Sequence, residues 1–272
     1  MLNEERIQFE GIETYATPRR LVLIIEGLGD KQETIQELVK GPAKRIAYDD
    51  KGNPTKALHG FMNGQGVEID QIIIQEYNGE EYIYANVIKE GKTTETILSE
   101  NMANIIKSII FPKSMKWGGK NIRFARPIRW LVSLYNENVL PFNLEGIEAG
   151  NITKGHRFLG SYHIELKSVD EYFETLEKNY VLVDQNRRKD IIKYGSERLA
   201  KEKGGNLLMD SSLLEEVTYI VEYPTPLIGR IEEEYLNLPI DVIITPMKEH
   251  LRYFPVVDDK GRLLPYFITV RN

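Results

Sequence analysis

Cysteine is absent from the 272 residues. Disulfides, thiolate metal ligands and cysteine nucleophiles are therefore excluded, and a reducing compartment is suited. No run of eighteen apolar residues occurs, so no membrane-spanning helix is expected. The opening Met1-Leu2-Asn3-Glu4-Glu5-Arg6 lacks the apolar run of a secretory signal. These absences point to a cytoplasmic chain. The histidines His59, His156, His163 and His250 form no i, i+4 pair, so no metal site is expected. A Gly-x-Ser-x-Gly elbow is lacking too, and no spacing singles out a catalytic carboxylate pair. Gly118-Gly119-Lys120 resembles a phosphate loop only superficially, because Ser114 stands where the first glycine belongs and Asn121 follows the lysine. Gly64-Gln65-Gly66-Val67-Glu68-Ile69 lacks the third glycine of a dinucleotide fingerprint.

The most informative absence is of acid. Between Glu100 and Glu137 there is no Asp or Glu, while Lys107, Lys113, Lys116, Lys120, Arg123, Arg126 and Arg129 fall in that window. The whole chain carries −6; this stretch carries +7 and leaves −13 to the rest. An acidic average usually argues against a nucleic-acid binder, yet a local field of this sign gathers phosphates.

What is present reads as an ordinary globular chain, 42% hydrophobic and 28% charged. Arg20 to Glu26 is short, apolar and β-branched, a buried strand. Gln32 to Val39 suits either a short helix or an edge strand. Thr55 is placed to cap a short helix ended by Gly64 and Gly66. Ile72 to Gln75 and Tyr82 to Lys89 form a hairpin about Asn78-Gly79. Thr94 to Ile109 has the spacing of an amphipathic helix. Ile128 to Tyr135 and Val139 to Phe142 suggest a second hairpin. Helices are expected over Val169 to Lys178, Asn186 to Lys203 and Ser211 to Glu222, with Asp184 and Asp210 at the starts of the last two. Strands follow at Tyr253 to Val257, Leu227 to Ile231 and Leu263 to Val270. This order predicts an α+β fold with mixed or antiparallel sheets and clustered helices. It is divided into lobes 1–160 and 161–272 by a boundary near Gly160.

From Phe111 to Trp130, six cations lie among Phe111, Trp117, Phe124 and Trp130, and both tryptophans of the chain are here. Cations neutralise phosphates, and aromatic faces stack unpaired bases. The plainer reading is a solvated loop whose tryptophans fill a core, which the strand position of Trp130 favours. A third reading docks an acidic protein partner.

The run from Phe111 to Trp130 resembles the bacterial-type glycyl-tRNA synthetase β subunit of an α2β2 enzyme. Further blocks agree in order: Ala16-Thr17-Pro18-Arg19-Arg20-Leu21, Lys40-Gly41-Pro42-Ala43, Gly155-His156-Arg157-Phe158, Glu222-Tyr223-Pro224 and Met247 through Phe254. Family members begin earlier and continue through an HD-type helical domain to an anticodon-binding region. The resemblance thus implies an N-terminal fragment with an added Met1 and without anticodon recognition. It implies a ligase joining glycine to tRNA(Gly). ATP with magnesium would be bound on the α subunit and no cofactor on this piece. The partners would be the α subunit and tRNA, not membrane or DNA. It further suggests a distant likeness to the B3/B4 module of the phenylalanyl-tRNA synthetase β chain.

On this reading, Lys113, Lys116, Lys120, Arg123, Arg126 and Arg129 contact phosphates, while Trp117 and Phe124 stack or shape the groove. No catalytic residue is expected. A hydrolytic editing module is the alternative, with His156, Arg157 and His250 as polar groups of its pocket. A purely structural subunit-docking domain is the other.

Overall fold

The computed structural model describes all residues 1–272. The fold is α+β, built of several small sheets and seven helices. Two compact units form. One joins Met1–Glu10 to Gly27–Asn101, and the other joins Gly11–Glu26 to Met102–Asn272. The boundary near Gly160 falls inside the second unit, where the paired strands Ile152–Thr153 and Ile164–Glu165 span it.

In the first unit, strands Ile35–Ala43, Glu80–Lys89 and Ile72–Tyr77 make an antiparallel sheet with Glu80–Lys89 at its centre. The ambiguous segment is thus an edge strand. Alternation puts Ile83 and Ala85 on one face, where they meet Leu58 and Met62 of helix Lys56–Gln65. Asn78 and Gly79 turn the hairpin with φ of 55° and 81°, the mirror-image turn that matches strand twist. Thr55 stands at the helix N-cap but does not accept a cap bond. Its hydroxyl instead donates to the carbonyls of Ile46 and Ala47, at 2.6 and 3.1 Å.

In the second unit, strands Asn206–Leu207, Phe254–Val257, Leu263–Arg271 and Thr225–Arg230 form an antiparallel sheet in that spatial order. Ile192 and Ala200 of helix Gln185–Glu202 and Leu213, Leu214 and Val217 of helix Ser211–Ile220 share a core with Phe254, Val256 and Ile268. Asp184 and Asp210 cap these helices as the sequence predicts. The Asp184 carboxylate accepts the Asn186 amide at 2.7 Å, and that of Asp210 accepts the amides of Ser212 and Leu213 at 3.0 and 3.1 Å. A second core gathers Ile164, Leu166, Tyr172, Leu176, Val181 and Val183. The expected hairpin after residue 128 shrinks to Leu134–Tyr135 against Asn138–Val139. Nearby, Leu131–Val132 pairs in parallel with Ile147–Gly150.

Besides several two- to four-residue strands, a longer strand and a helix carry no signal in the sequence. Strand Gly11–Thr17 pairs antiparallel with Arg20–Glu26 about the two-residue turn Pro18-Arg19. Helix Ile240–Glu249 carries Pro246 in its interior. Proline marks a helix end in sequence, but here it falls near the C-terminus, and its carbonyl accepts the His250 amide at 3.0 Å. No helix is long and apolar enough to cross a membrane.

Candidate nucleic-acid interface

The acid-free segment folds into a pinned loop of the second unit. Met115 and Phe124 exchange backbone hydrogen bonds of 2.9 and 3.1 Å, closing residues 115–124. Gly118 and Gly119 turn the loop tip in left-handed conformations, φ 55° and 70°. Glu145 fastens the loop from below. Its carboxylate accepts the amides of Asn121 and Ile122 at 2.7 and 3.3 Å and pairs with Lys107 at 3.6 Å. Those amides, foremost that of Asn121, hold the Glu145 carboxyl below its ordinary range. The Lys120 ammonium donates to the Glu145 carbonyl. Lys120 and the loop amides are therefore engaged within the protein.

The other cations project outward. Lys113, Lys116, Arg123, Arg126 and Arg129 are exposed. Arg123 reaches back to the Ser114 hydroxyl and carbonyl, both at 3.1 Å, and Arg126 donates to the Pro18 carbonyl at 2.7 Å. The aromatic residues turn inward by comparison. Phe124 meets Phe111 edge-on with centroids 4.7 Å apart, and Trp117 is half-buried.

At its far end the segment joins two others. The indole of Trp130 lies 5.7 Å from the Arg19 guanidinium, 5.8 Å from that of Arg20 and 5.3 Å from the Lys154 ammonium. Glu222, only 1% exposed, is the acid beneath. It accepts Thr17 Oγ1 at 2.8 Å, Arg19 Nη1 at 3.2 Å and Arg20 Nη1. Arg19 and Arg20 also donate to the carbonyls of Gly155 and Lys154, at 3.0 and 2.7 Å. Burial pushes the Arg20 pKa down against the pull of Glu222. Arg188, fully buried, anchors the same hairpin by donating to the carbonyls of Ala16, Leu182, Val183 and Thr218 over 2.6–3.1 Å.

His156 is 3% exposed. Its Nδ1 accepts the amides of Phe158 and Leu159 at 3.4 and 3.3 Å, and its Nε2 is buried without a partner. Arg157, next to it, is exposed. His250 is an exposed residue at the end of helix Ile240–Glu249, a separate element from the His156 loop.

The structure thus brings the basic segment together with Arg19, Arg20 and Lys154, none of which the sequence reading gave a binding role. A signal was present, since Ala16–Leu21 and Gly155–Phe158 are among the blocks that carry the family resemblance, but neither is locally rich enough in cations to stand out.

A family profile described as glycyl-tRNA synthetase beta subunit matches residues 1–272. The glycine–tRNA ligase beta subunit of Clostridioides difficile (strain 630) is 51% identical over 272 residues, covering 100% of this chain and 39% of that protein. The proteins of the same name from Halalkalibacterium halodurans and Moorella thermoacetica are 47% and 45% identical, again over 100% of this chain and 39% of theirs. The chain therefore spans about two fifths of the length of these curated relatives. With a match from its first residue to its last, it belongs to the glycyl-tRNA synthetase β-subunit family.

Proposed function

We propose that this chain is the tRNA-positioning portion of a glycine–tRNA ligase, acting beside an α subunit that carries the adenylate chemistry. The observation that supports this most is the set of five exposed cations, Lys113, Lys116, Arg123, Arg126 and Arg129, on a pinned acid-free segment. Cations on a pre-shaped loop neutralise phosphates without a large ordering cost. ATP and magnesium belong on the α subunit in this reading. The glycine turn that most resembles a phosphate loop does not fit a nucleotide here, because Glu145 holds its Lys120 and the amides of Asn121 and Ile122. The likeness to the B3/B4 module enters the proposal as architecture alone.

The test is tRNA binding by the assembled enzyme over a salt series. Lys113→Ala with Lys116→Ala weakens binding and lowers the slope of log K against log salt by about two, roughly one per lost phosphate contact. Unchanged affinity and slope would overturn the proposal. Docking of the α subunit is a second reading, favoured by Ile110, 92% exposed, with Ile109 and Met115 exposed beside the cations. Assembly of the same variant with the α chain separates the two. Hydrolytic editing gains less support, since His156 Nδ1 is committed to the backbone of its own loop. Deacylation of mischarged tRNA by the whole enzyme would revive it.

A further inference from the structure

The loop from Lys154 to Tyr162 displays two large rings to solvent, with Phe158 83% and Tyr162 74% exposed. Exposure of this kind is common at a floppy tip, but this loop is held. His156 Nδ1 takes the amides of Phe158 and Leu159, the Gly155 amide donates to the Ser161 carbonyl at 2.7 Å, and the His156 amide donates to that of Asn179 at 2.9 Å. A Cβ on Gly160 would sit 2.4 Å from the Asn179 carbonyl oxygen and 2.6 Å from the His156 nitrogen. A rigid loop that presents aromatic rings to water is suited to a partner with flat apolar faces.

Charge says which partner. No acid occurs from Ala149 to Ile164. The Lys154 ammonium lies 3.6 Å from the centre of the Tyr162 ring, and the Arg157 guanidinium 5.7 Å from that of Phe158. Tyr162 is drawn below the ordinary tyrosine range, first by Lys154 and then by Arg129 and Arg19, so its phenol sits in a positive field shared with the basic segment. Rings interleaved with cations, and free of carboxylates, match the alternation of base and phosphate in an unpaired strand.

We propose that Phe158 and Tyr162 stack unpaired nucleotides of the bound RNA, while Lys154, Arg157, Arg129 and Arg19 hold the flanking phosphates. That the RNA is tRNA rests on the function proposed above; the stacking site rests on this loop alone. The test uses the complete α and β enzyme, glycine-accepting tRNA and a short unstructured RNA competitor. Phe158→Ala and Tyr162→Ala each weaken tRNA binding by about 5- to 150-fold, the range for losing one stacked base. The salt slope stays unchanged, and the competitor loses affinity in parallel. Phe158→Trp restores binding, whereas a general folding defect would not be rescued. Unchanged affinity in both alanine variants overturns the site. So does loss of α-subunit assembly with retained RNA binding, which would make the rings a protein contact. If Lys113→Ala with Lys116→Ala has no effect while Phe158→Ala weakens binding, the basic segment loses its assigned role and the stacking site stands. The reverse result removes the stacking site and leaves the basic segment.

Discussion

Replacing Glu222 by glutamine tests whether the Trp130 cluster is held by charge or only by shape. Glutamine keeps the size of the side chain and its capacity to accept the Thr17 hydroxyl at 2.8 Å. It removes the negative charge facing Arg20, whose side chain is 4% exposed, and Arg19, which is 24% exposed. Arg19 can turn toward water; Arg20 cannot, and its Nε is already buried without a partner. Breaking a buried pair by deleting one partner typically costs about 3–5 kcal/mol, mostly the uncompensated charge left behind. Against a typical domain stability of about 5–15 kcal/mol, the variant unit stays folded but only narrowly. Both tryptophans, Trp117 and Trp130, lie in the second unit, so urea unfolding followed by tryptophan fluorescence reports that unit without the other. Arg20→Met with Glu222→Leu replaces the pair by apolar groups and should recover most of the loss. A cost under about 1 kcal/mol for Glu222→Gln, or a double variant no better than the single, would refute an electrostatic clasp.

Two further predictions concern single carboxylates. Asp210 is held well below the ordinary 3.8 by the Ser212 hydroxyl, the Leu213 amide and Lys248. Its folded pKa is depressed, so its contribution is complete above that ordinary value and is lost as pH falls below it. Asp210→Ala should cost about 1 kcal/mol near neutrality and progressively less from pH 4 downward in denaturant titrations; a penalty undiminished at low pH would contradict the assignment. Glu145→Ala should speed hydrogen exchange at the Asn121 and Ile122 amides by roughly 10- to 150-fold, the worth of a hydrogen bond to a charged group, while Lys116→Ala leaves both amides protected.

Legibility in the sequence followed the range of the forces involved. Helix Gln185–Glu202 and its Asp184 cap were readable because period and cap lie within a few residues of each other. The hairpin at Asn78-Gly79 was readable because the turn demands positive φ. Strand Gly11–Thr17 is not legible in sequence, since its short alternation of polar and apolar residues gains meaning only from Arg20–Glu26 beside it. Thr55 stands at the cap position its sequence predicts but makes a different bond, because the carbonyls that draw its hydroxyl belong to residues eight and nine positions earlier. The site divided in the same way. The cations of residues 113–129 announce themselves by density, whereas the bonds from Arg19 and Arg20 to Glu222 close over 203 and 202 residues. No local count could reveal that pairing.

That division also resolves why an acidic chain can present a basic surface. Met1–Glu10 with Gly27–Asn101 holds nine Lys and Arg against sixteen Asp and Glu, a net −7. The remaining residues hold twenty-six against twenty-five, a net +1. The net acid excess therefore lies in the first unit, while the second balances its basic segment of +7 against −6 elsewhere in the same unit. Within the second unit the acids are not spread evenly either. Glu145 and Glu222 are consumed inside the fold by loop amides and by Arg19 and the buried Arg20, and carboxylates are missing from the stretches 101–136 and 149–164. At physiological salt a charge is felt over about 8 Å. A phosphate approaching the exposed cations of residues 113–129 or the exposed Arg157 thus meets a field set by its immediate neighbours rather than by the chain's −6. Net charge is a weak guide to binding whenever its two signs are segregated on this length scale.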